Sequence, residues 1–268
     1  MQDHKILYNS TEISSDYGRR DYIEAAEMAI LKRLSGWLPS ARMLDMGVGG
    51  GRTTKYFAPL AGHYTGADYA PSMIKICRAK YGEKYPFIEC DVRDMSCFGD
   101  YSFDFVLFSY NGIDSFSHQE RLAALKEIAR VLTRGGFFAF SSHNLNWAKL
   151  TDLFRLRGMS AAKHKGNMAK LNYYARQSYK NLRLNILNRS MFMENLIEKL
   201  RKNERGTFYD NSLNGKASIY YISREEQIRQ LNEAGFMDVS TFGHSGIKNG
   251  KKEETNHGAW IYYLCRKR

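Results

Sequence analysis

The first half of the chain alternates apolar segments of strand length with helical patterns, and this alternation restricts the fold more than any other feature. Between the apolar runs, hydrophobic residues recur every three or four positions, as they do on one face of a helix. Strand, helix and strand in succession form a parallel pair with a right-handed crossover, and the helices cover both faces of the sheet. The predicted strands are Arg42–Met46, Tyr64–Asp68, Pro86–Cys90, Phe103–Phe108 and Phe137–Ser141, and the predicted helices are Asp21–Gly36, Thr53–Ala61, Pro71–Tyr81 and Gln119–Leu132.

The alternation stops between residues 147 and 217 and then resumes. Because the strand and helix pattern returns, the intervening segment is predicted to be an insertion in one α/β domain. We therefore predict a core of residues 1–146 and 218–268 and a basic, mainly helical insertion of residues 147–217. The helices predicted for the insertion are Leu150–Leu156, Asn172–Leu187 and Met191–Arg201, and the strands predicted after it are Ser218–Ile222, Phe236–Phe242 and Ala259–Cys265.

The composition is that of a globular protein, with 43% hydrophobic residues and so enough apolar material for a sizeable core. No apolar run approaches the roughly 18 residues of a membrane span, and residues 1–5 lack the layout of a signal peptide, so we expect a cytosolic protein. The four cysteines, Cys77, Cys90, Cys97 and Cys265, form no C-x-x-C pair. This spacing favours buried free thiols over a zinc site or a disulfide framework.

The net charge of +12 is concentrated in the predicted insertion. Residues 147–217 contain 15 Lys and Arg against five Asp and Glu, a net charge of +10, whereas the rest of the chain is close to neutral. Such a segment indicates an anionic partner with carboxylate, phosphate or nucleotide groups. Aromatic residues interleaved with Arg176 and Lys180 keep RNA open as that partner, and a merely solvated surface is the third interpretation.

A glycine-rich segment joins the first predicted strand to the helix that follows. Residues 43–52 read Met-Leu-Asp-Met-Gly-Val-Gly-Gly-Gly-Arg, and glycines at such a junction allow a tight turn and close approach of a ligand to the backbone. Arg52 stands where a dinucleotide fingerprint needs a small residue, and the Gly-Lys-Ser/Thr ending of a phosphate-binding loop is missing. A turn with a purely structural role is the alternative.

Two acidic residues accompany this turn. Asp45 lies inside the first strand, where a buried carboxylate is costly unless hydrogen-bond donors surround it, and a ligand ammonium group is one such donor. Asp68 ends the second strand, at the position where doubly wound folds hold ribose hydroxyls. A simple turn or helix-capping role before Pro71 is the alternative for Asp68.

These residues resemble the class I S-adenosylmethionine (SAM)-dependent methyltransferases. The segments that carry the resemblance are Leu44–Gly51, Gly66–Met73, Cys90–Asp94, Phe103–Gly112 and Leu125–Gly136. The resemblance implies an α/β, Rossmann-like, doubly wound and mostly parallel seven-stranded sheet with a helical lid insertion. It also implies an enzyme that uses SAM and releases S-adenosylhomocysteine, with no metal, but it names no methyl acceptor.

The resemblance further implies ten residues that contact SAM from the turn and from the loops after the strands. They are Asp45, Gly47 and Gly49 for the methionyl part, Asp68 for the ribose, Tyr69, Met73, Asp91 and Val92 for the adenine, and Ser109 and Tyr110, whose backbone passes close to the amino-acid part.

Catalytic candidates come from the loops that follow the fourth and fifth strands and from the N-terminal region. His143 follows an apolar strand and is the predicted base or acceptor-orienting residue, with a loop histidine bonded to backbone as the alternative. Asn111 follows the fourth strand, and Tyr17 is predicted to close over SAM unless it only packs there. Because SAM carries its own leaving group, the protein must chiefly align the reactants and exclude water.

The predicted acceptor is a small polar, anionic molecule methylated on oxygen or nitrogen. The strand end Tyr110–Asp114 lacks the Asn/Asp-Pro-Pro-aromatic sequence that related enzymes use for planar amino nitrogens. An RNA methyltransferase and a catalytically silent SAM-binding scaffold remain the alternatives.

The basic insertion yields a prediction about ionic strength. If exposed Lys and Arg residues bind a small anionic acceptor, its KM rises modestly between low and moderate salt, because screening weakens such contacts beyond about 8 Å at 0.15 M. RNA instead gives a steep power-law dependence, since each contacted phosphate releases counterions. Steady-state kinetics at several salt concentrations separate these cases, and a flat response contradicts a binding role for the insertion.

Overall fold

A seven-stranded sheet forms the centre of the computed structural model, which describes residues 4–153, 167–190, 192–210, 215–243, 245–246 and 258–268. The helices are α1 (His4–Tyr8), α2 (Thr11–Arg19), α3 (Ala25–Leu34), α4 (Thr54–Phe57), α5 (Pro71–Tyr81), α6 (His118–Val131), α7 (Asn167–Leu187), α8 (Met193–Lys202) and α9 (Arg224–Glu233). The strands are β1 (Arg42–Met46), β2 (His63–Asp68), β3 (Phe87–Glu89), β4 (Phe103–Phe108), β5 (Leu132–His143), β6 (Arg205–Tyr209), β7 (Ser218–Ile222), β8 (Phe236–Phe242) and β9 (Trp260–Lys267).

The strand order of the sheet is β3-β2-β1-β4-β5-β9-β8. The five strands from β3 to β5 are parallel, and β9 is antiparallel to both of its neighbours. The chain moves outwards from β1 to β3 and then returns to the other side of β1 with β4. This reversal opens a crevice beyond the carboxyl ends of β1 and β4, where doubly wound folds bind their ligands.

Two apolar clusters cover the two faces of the sheet and confirm the predicted mostly parallel α/β architecture. One cluster packs α3 and α5 against the sheet through residues such as Ile30 and Ile74. The other packs α6 and α9 against the opposite face through residues such as Leu125 and Leu231. The predicted segments Arg42–Met46, Pro71–Tyr81 and Phe103–Phe108 have the observed bounds.

Ser218–Ile222 was predicted as a strand of the core, and that assignment is wrong for the main sheet. As β7 it pairs antiparallel with β6 in a separate two-stranded sheet, and the sequence pattern did not predict β6. The reason is a satellite core, in which Ile219 and Tyr221 pack with Leu145, Phe208 and residues of α8. The division into a core and an insertion of residues 147–217 stays a prediction, and this hairpin crosses its second boundary.

The other predicted segments of the insertion are only partly covered by the described residues. Residues 151–153 form a short 3-10 helix that Leu150 precedes, and residues 154–156 of the predicted helix Leu150–Leu156 lie outside the described residues. The helices predicted at Asn172–Leu187 and Met191–Arg201 correspond to α7 and α8. In the described ranges, no helix is both long enough and apolar enough to cross a membrane.

Candidate functional site

A cavity opens at the carboxyl ends of β1, β2 and β4, beside the glycine-rich turn. Its lining contains most of the side chains that the sequence analysis selected. The predicted residues that line it are Tyr17, Asp45, Gly47, Gly49, Asp68, Tyr69, Met73, Val92, Ser109 and Tyr110. The described lining does not include Asp91, Asn111 or His143.

The turn after β1 requires glycine for two different reasons. Gly47 and Gly49 have φ values of +64° and +54°, a backbone conformation that residues with a side chain rarely adopt. A Cβ atom on Gly47 would lie 2.5 Å from the Phe108 ring, and one on Gly50 would lie 2.4 Å from the backbone oxygen of Tyr17. The turn is therefore packed against β4 on one side and against α2 on the other.

Asp68 fixes this turn to the end of β2. Its carboxylate accepts hydrogen bonds from the backbone nitrogen atoms of Gly49 at 3.0 Å and of Ala70 at 2.9 Å. The side chain is almost fully buried, and burial raises its pKa to about 6 although these bonds oppose the shift. Asp68 thus lies in the cavity wall as a carboxylate that further donors would stabilise.

Asp45 has protein donors already. The hydroxyl groups of Thr53 and Tyr64 donate to its Oδ2 atom at 2.6 and 2.8 Å. Burial is the main cause that raises the pKa of Asp45 to about 6. These hydroxyls explain how the buried carboxylate is tolerated without the ligand ammonium group that the sequence analysis considered.

A buried ion pair that the sequence pattern did not reveal lies behind the turn. Glu27 of α3 is fully buried and accepts two hydrogen bonds from the guanidinium of Arg52, each of 2.6 Å. Ser109, at the end of β4, also donates to Glu27. The pair joins α3, the turn and β4 at the cavity wall.

Asp91 and Val92 follow β3, but only Val92 belongs to the described cavity lining. Val92 is buried and lines the cavity. The Asp91 carboxylate instead accepts from the Arg93 side chain at 2.7 and 3.0 Å and from the Arg93 backbone nitrogen at 2.9 Å. Burial favours the neutral acid, but these bonds outweigh it and lower the pKa of Asp91. Its position outside the cavity lining therefore follows from its pairing with Arg93.

Two N-terminal helices cover one side of the cavity, and the sequence analysis missed them. The first helix was expected to begin at Asp21, whereas α1 and α2 precede it and α3 begins at Ala25. Tyr8 and Tyr17 from these helices line the cavity, with their ring centroids 5.7 Å apart. The signal available was the apolar pair Ile13 and Tyr17, one helical turn apart.

His143 ends β5 and is held by Asp114, which is 1% exposed. The Nδ1 atom of His143 lies 2.8 Å from Oδ2 of Asp114, and its backbone nitrogen donates to the same oxygen at 2.6 Å. Arg121 and Ser142 donate to the other oxygen at 2.5 and 2.6 Å. Because a carboxylate accepts, this contact suits a proton on Nδ1, and a neutral ring in that tautomer has Nε2 as its acceptor nitrogen.

Asn111 and His143 lie near the cavity without lining it. The backbone nitrogen of Asn111 donates to Ser141 at 2.8 Å, and its φ of +61° is left-handed. The ring of Trp260 contacts both Tyr110, at 5.9 Å between centroids, and His143, at 6.3 Å. Trp260 therefore connects the cavity lining to His143.

The cysteine and acidic side chains that the structure describes are the possible ligands of a metal ion. Cys77, Cys90 and Cys265 are buried and free, as predicted, but Cys97 is exposed, so that expectation was wrong for one residue. Among the residues that the structure describes, no three His, Cys, Asp or Glu side chains are grouped in a way that would hold a metal ion.

Residues 44–140 match the family model described as a methyltransferase domain. The chain is 26% identical to phosphoethanolamine N-methyltransferase 2 of Caenorhabditis elegans over 255 residues, which are 90% of this chain and 51% of that protein. It is 31% identical to 3-methylorcinaldehyde synthase of a Phoma species over 34% of this chain and 4% of that protein. The chain thus spans about half the length of the first relative and a small part of the second.

Solved structures share the fold over nearly the whole chain. A SAM-dependent methyltransferase from Thermotoga maritima has a TM-score of 0.55 at 18% identity and covers 99% of both chains. The 1,6-didemethyltoxoflavin-N1-methyltransferase of Burkholderia thailandensis, solved with 1,6-didemethyltoxoflavin and S-adenosylhomocysteine, has a TM-score of 0.56 at 16% identity. It covers 100% of this chain and 91% of that one.

The ion pair behind the turn predicts a large stability effect. Replacing Glu27 by Ala leaves the Arg52 guanidinium buried without its carboxylate, so we expect the free energy of unfolding to fall by about 3–5 kcal/mol. Urea denaturation measures this change. The exposed Glu83 provides the control, since Glu83→Ala should alter stability by less than about 0.5 kcal/mol. A Glu27→Ala loss as small as the control's contradicts the assigned role.

Proposed function

We propose that this chain is a class I SAM-dependent methyltransferase and that it transfers the methyl group of SAM to an oxygen or nitrogen of a small polar, anionic acceptor. The observation that carries this proposal is the cavity beside the glycine turn, with two buried carboxylates whose pKa values lie near 6. SAM supplies an activated methyl group and leaves as S-adenosylhomocysteine.

The lining residues fit SAM by their chemistry. The turn at Gly47 and Gly49 lets a ligand approach the backbone, which suits the methionyl part. Asp68 would accept hydrogen bonds from the ribose hydroxyls. Asp45, which Thr53 and Tyr64 hold in place by hydrogen bonds, would help to order the amino group of the ligand. Backbone from Ser109 and Tyr110 would complete this end of the site.

The apolar end of the cavity suits an adenine ring. Tyr69, Met73 and Val92 line it and would pack on the ring faces. Asp91 would accept from the exocyclic amine only if its carboxylate turned away from Arg93, which now holds both of its oxygen atoms. Tyr17, which lies on α2, would cover the bound ligand and exclude water from the site.

For the chemical step we propose His143 as the residue that accepts a proton from the acceptor or orients it. The contact between the Asp114 carboxylate and Nδ1 of His143 supports this proposal, because it holds the ring and a neutral ring with its proton on Nδ1 has Nε2 as the proton acceptor. Asp114 is itself held by Arg121, so the ring orientation is fixed by a buried network. Asn111, after β4, is proposed to help position the acceptor.

The positive charge of residues 147–217 supports an anionic methyl acceptor. One relative, similar over 90% of this chain, is a phosphoethanolamine N-methyltransferase. RNA is the second candidate, because Arg176, Tyr179 and Lys180 of α7 are all exposed. Release of S-adenosylhomocysteine with pooled RNA but not with pooled metabolites would reverse this order, and release with neither would favour a silent scaffold.

The raised pKa values of Asp45 and Asp68 predict how SAM binding depends on pH. SAM stabilises the ionised carboxylates, so binding near pH 6 must release protons from acids that are partly neutral in the free protein. We therefore expect affinity to be constant above pH 7 and to weaken as the pH falls through about 6. Calorimetry in buffers of different ionisation enthalpy measures the released protons.

The substitution Asp68→Asn separates the contribution of the Asp68 carboxylate to SAM binding from that of Asp45. The loss of charge-assisted bonds of about 1.5–3 kcal/mol should weaken SAM binding by roughly 10-fold or more and reduce the pH dependence. The exposed Glu83→Gln should bind SAM as the wild type does. A pH-independent affinity from pH 5 to 8 in the wild type speaks against the assigned role of both acids.

His143→Ala provides the catalytic prediction. If the acceptor is a hydroxyl, kcat should fall by about 10²-fold or more with SAM affinity nearly unchanged, since a general base is worth at least that factor. The matched control is His63→Ala, an exposed histidine at the amino end of β2. Wild-type kcat in His143→Ala with a hydroxyl acceptor would show that the residue is structural.

A further inference from the structure

Arg20 brings a guanidinium group to the wall of the cavity from the end of α2. Its Cζ atom lies 4.0 Å from the centroid of the Tyr17 ring and 5.0 Å from that of Tyr110. All three side chains line the cavity. Stacking on two aromatic rings restricts the guanidinium plane, so its remaining N–H groups point in defined directions.

The hydrogen bonds of Arg20 leave one buried nitrogen unused. Its Nη2 atom donates to Asp16 at 2.8 Å, but that carboxylate is 56% exposed and such surface pairs contribute little. The Nη1 atom is shielded from solvent and has no acceptor among the residues that the structure describes. A buried charged donor without a partner is destabilising, so such a group calls for something that binds it.

Arg52 provides the contrast within the same wall. It is the other arginine of the described lining, and its two terminal nitrogen atoms are engaged by Glu27 and by the backbone oxygen of Tyr22. Its charge is therefore balanced inside the protein. Within the described part of the chain, the exposed Asp16 is the one acidic side chain that pairs with Arg20, and the Nη1 atom of Arg20 is left for a ligand.

We propose that Arg20 binds an anionic oxygen, of a carboxylate or phosphate group, on a ligand held in the cavity. The inference rests on the proposed function only for the identity of that ligand, which is either the methionyl carboxylate of SAM or the anionic group of the acceptor. Together with Asp45 and Asp68, the cavity then offers acceptors for amino and hydroxyl groups and a donor for an anion. Anion recognition would thus reside in the core, independently of the basic residues 147–217.

The test compares Arg20→Met with Arg19→Met. Methionine keeps apolar contact with the rings but removes the charge and the donors, and Arg19 is the exposed neighbour that does not line the cavity. Both proteins are first compared with the wild type by thermal unfolding. Arg20→Lys, which keeps the charge and loses the planar fork, should lie between the wild type and Arg20→Met in every binding measurement below.

The first arm uses calorimetry with SAM and with decarboxylated SAM. If the carboxylate comes from SAM, wild type and Arg19→Met bind SAM at least about 10-fold more tightly than its decarboxylated analogue, whereas Arg20→Met binds the two with similar affinity. The factor corresponds to the value of one charge-assisted hydrogen bond.

The second arm titrates inorganic phosphate into each protein, with and without saturating S-adenosylhomocysteine. If the anion belongs to the acceptor, wild type and Arg19→Met bind phosphate at least about 10-fold more tightly than Arg20→Met does. An Arg20→Met variant that matches the wild type in both arms overturns the proposal. A wild type that binds neither SAM nor S-adenosylhomocysteine instead contradicts the proposed function, and phosphate binding in the absence of nucleoside still decides the role of Arg20.

Discussion

The buried ion pair between Glu27 and Arg52 is the interaction on which the rest of the site depends. Glu27 lies on α3, Arg52 on the glycine-rich turn, and Ser109 at the end of β4 donates to the same carboxylate. Two opposite charges are tolerated in the interior only where both are well paired and hydrogen-bonded. Their geometry therefore fixes the turn relative to the sheet, and the cavity wall is built on that fixed turn.

Periodicity was sufficient to predict the central sheet because the strands β1 to β5 are buried and parallel. Such strands are short apolar runs, and the helices between them must have one apolar face, so both signals are strong along the sequence. Periodicity did not predict β6 because the strand begins with Arg205 and Gly206 and packs only in a small satellite cluster, so its apolar pattern is weak. Ser218–Ile222 had the pattern of a strand, but periodicity does not state which sheet a strand joins.

The candidate site was predictable where its residues lie on the turn or directly after a strand. Asp45, Asp68 and Ser109 have this arrangement, since the carboxyl ends of parallel strands meet at one edge. Glu27 and Arg20 could not be found in this way, because their importance comes from partners distant in sequence. Nothing in the local pattern distinguishes a glutamate that will pair with Arg52 from one that faces water.

The position of β9 has a consequence for the order in which the chain can assemble during synthesis. β9 lies between β5 and β8 and pairs with both, although β8 precedes it in the chain. β8 therefore leaves the ribosome before the strand through which it joins the sheet. Until β9 follows, the edge of β5 is unpaired, and an unpaired edge is a template for contact with other chains. The nascent protein thus depends on β9 to close the sheet.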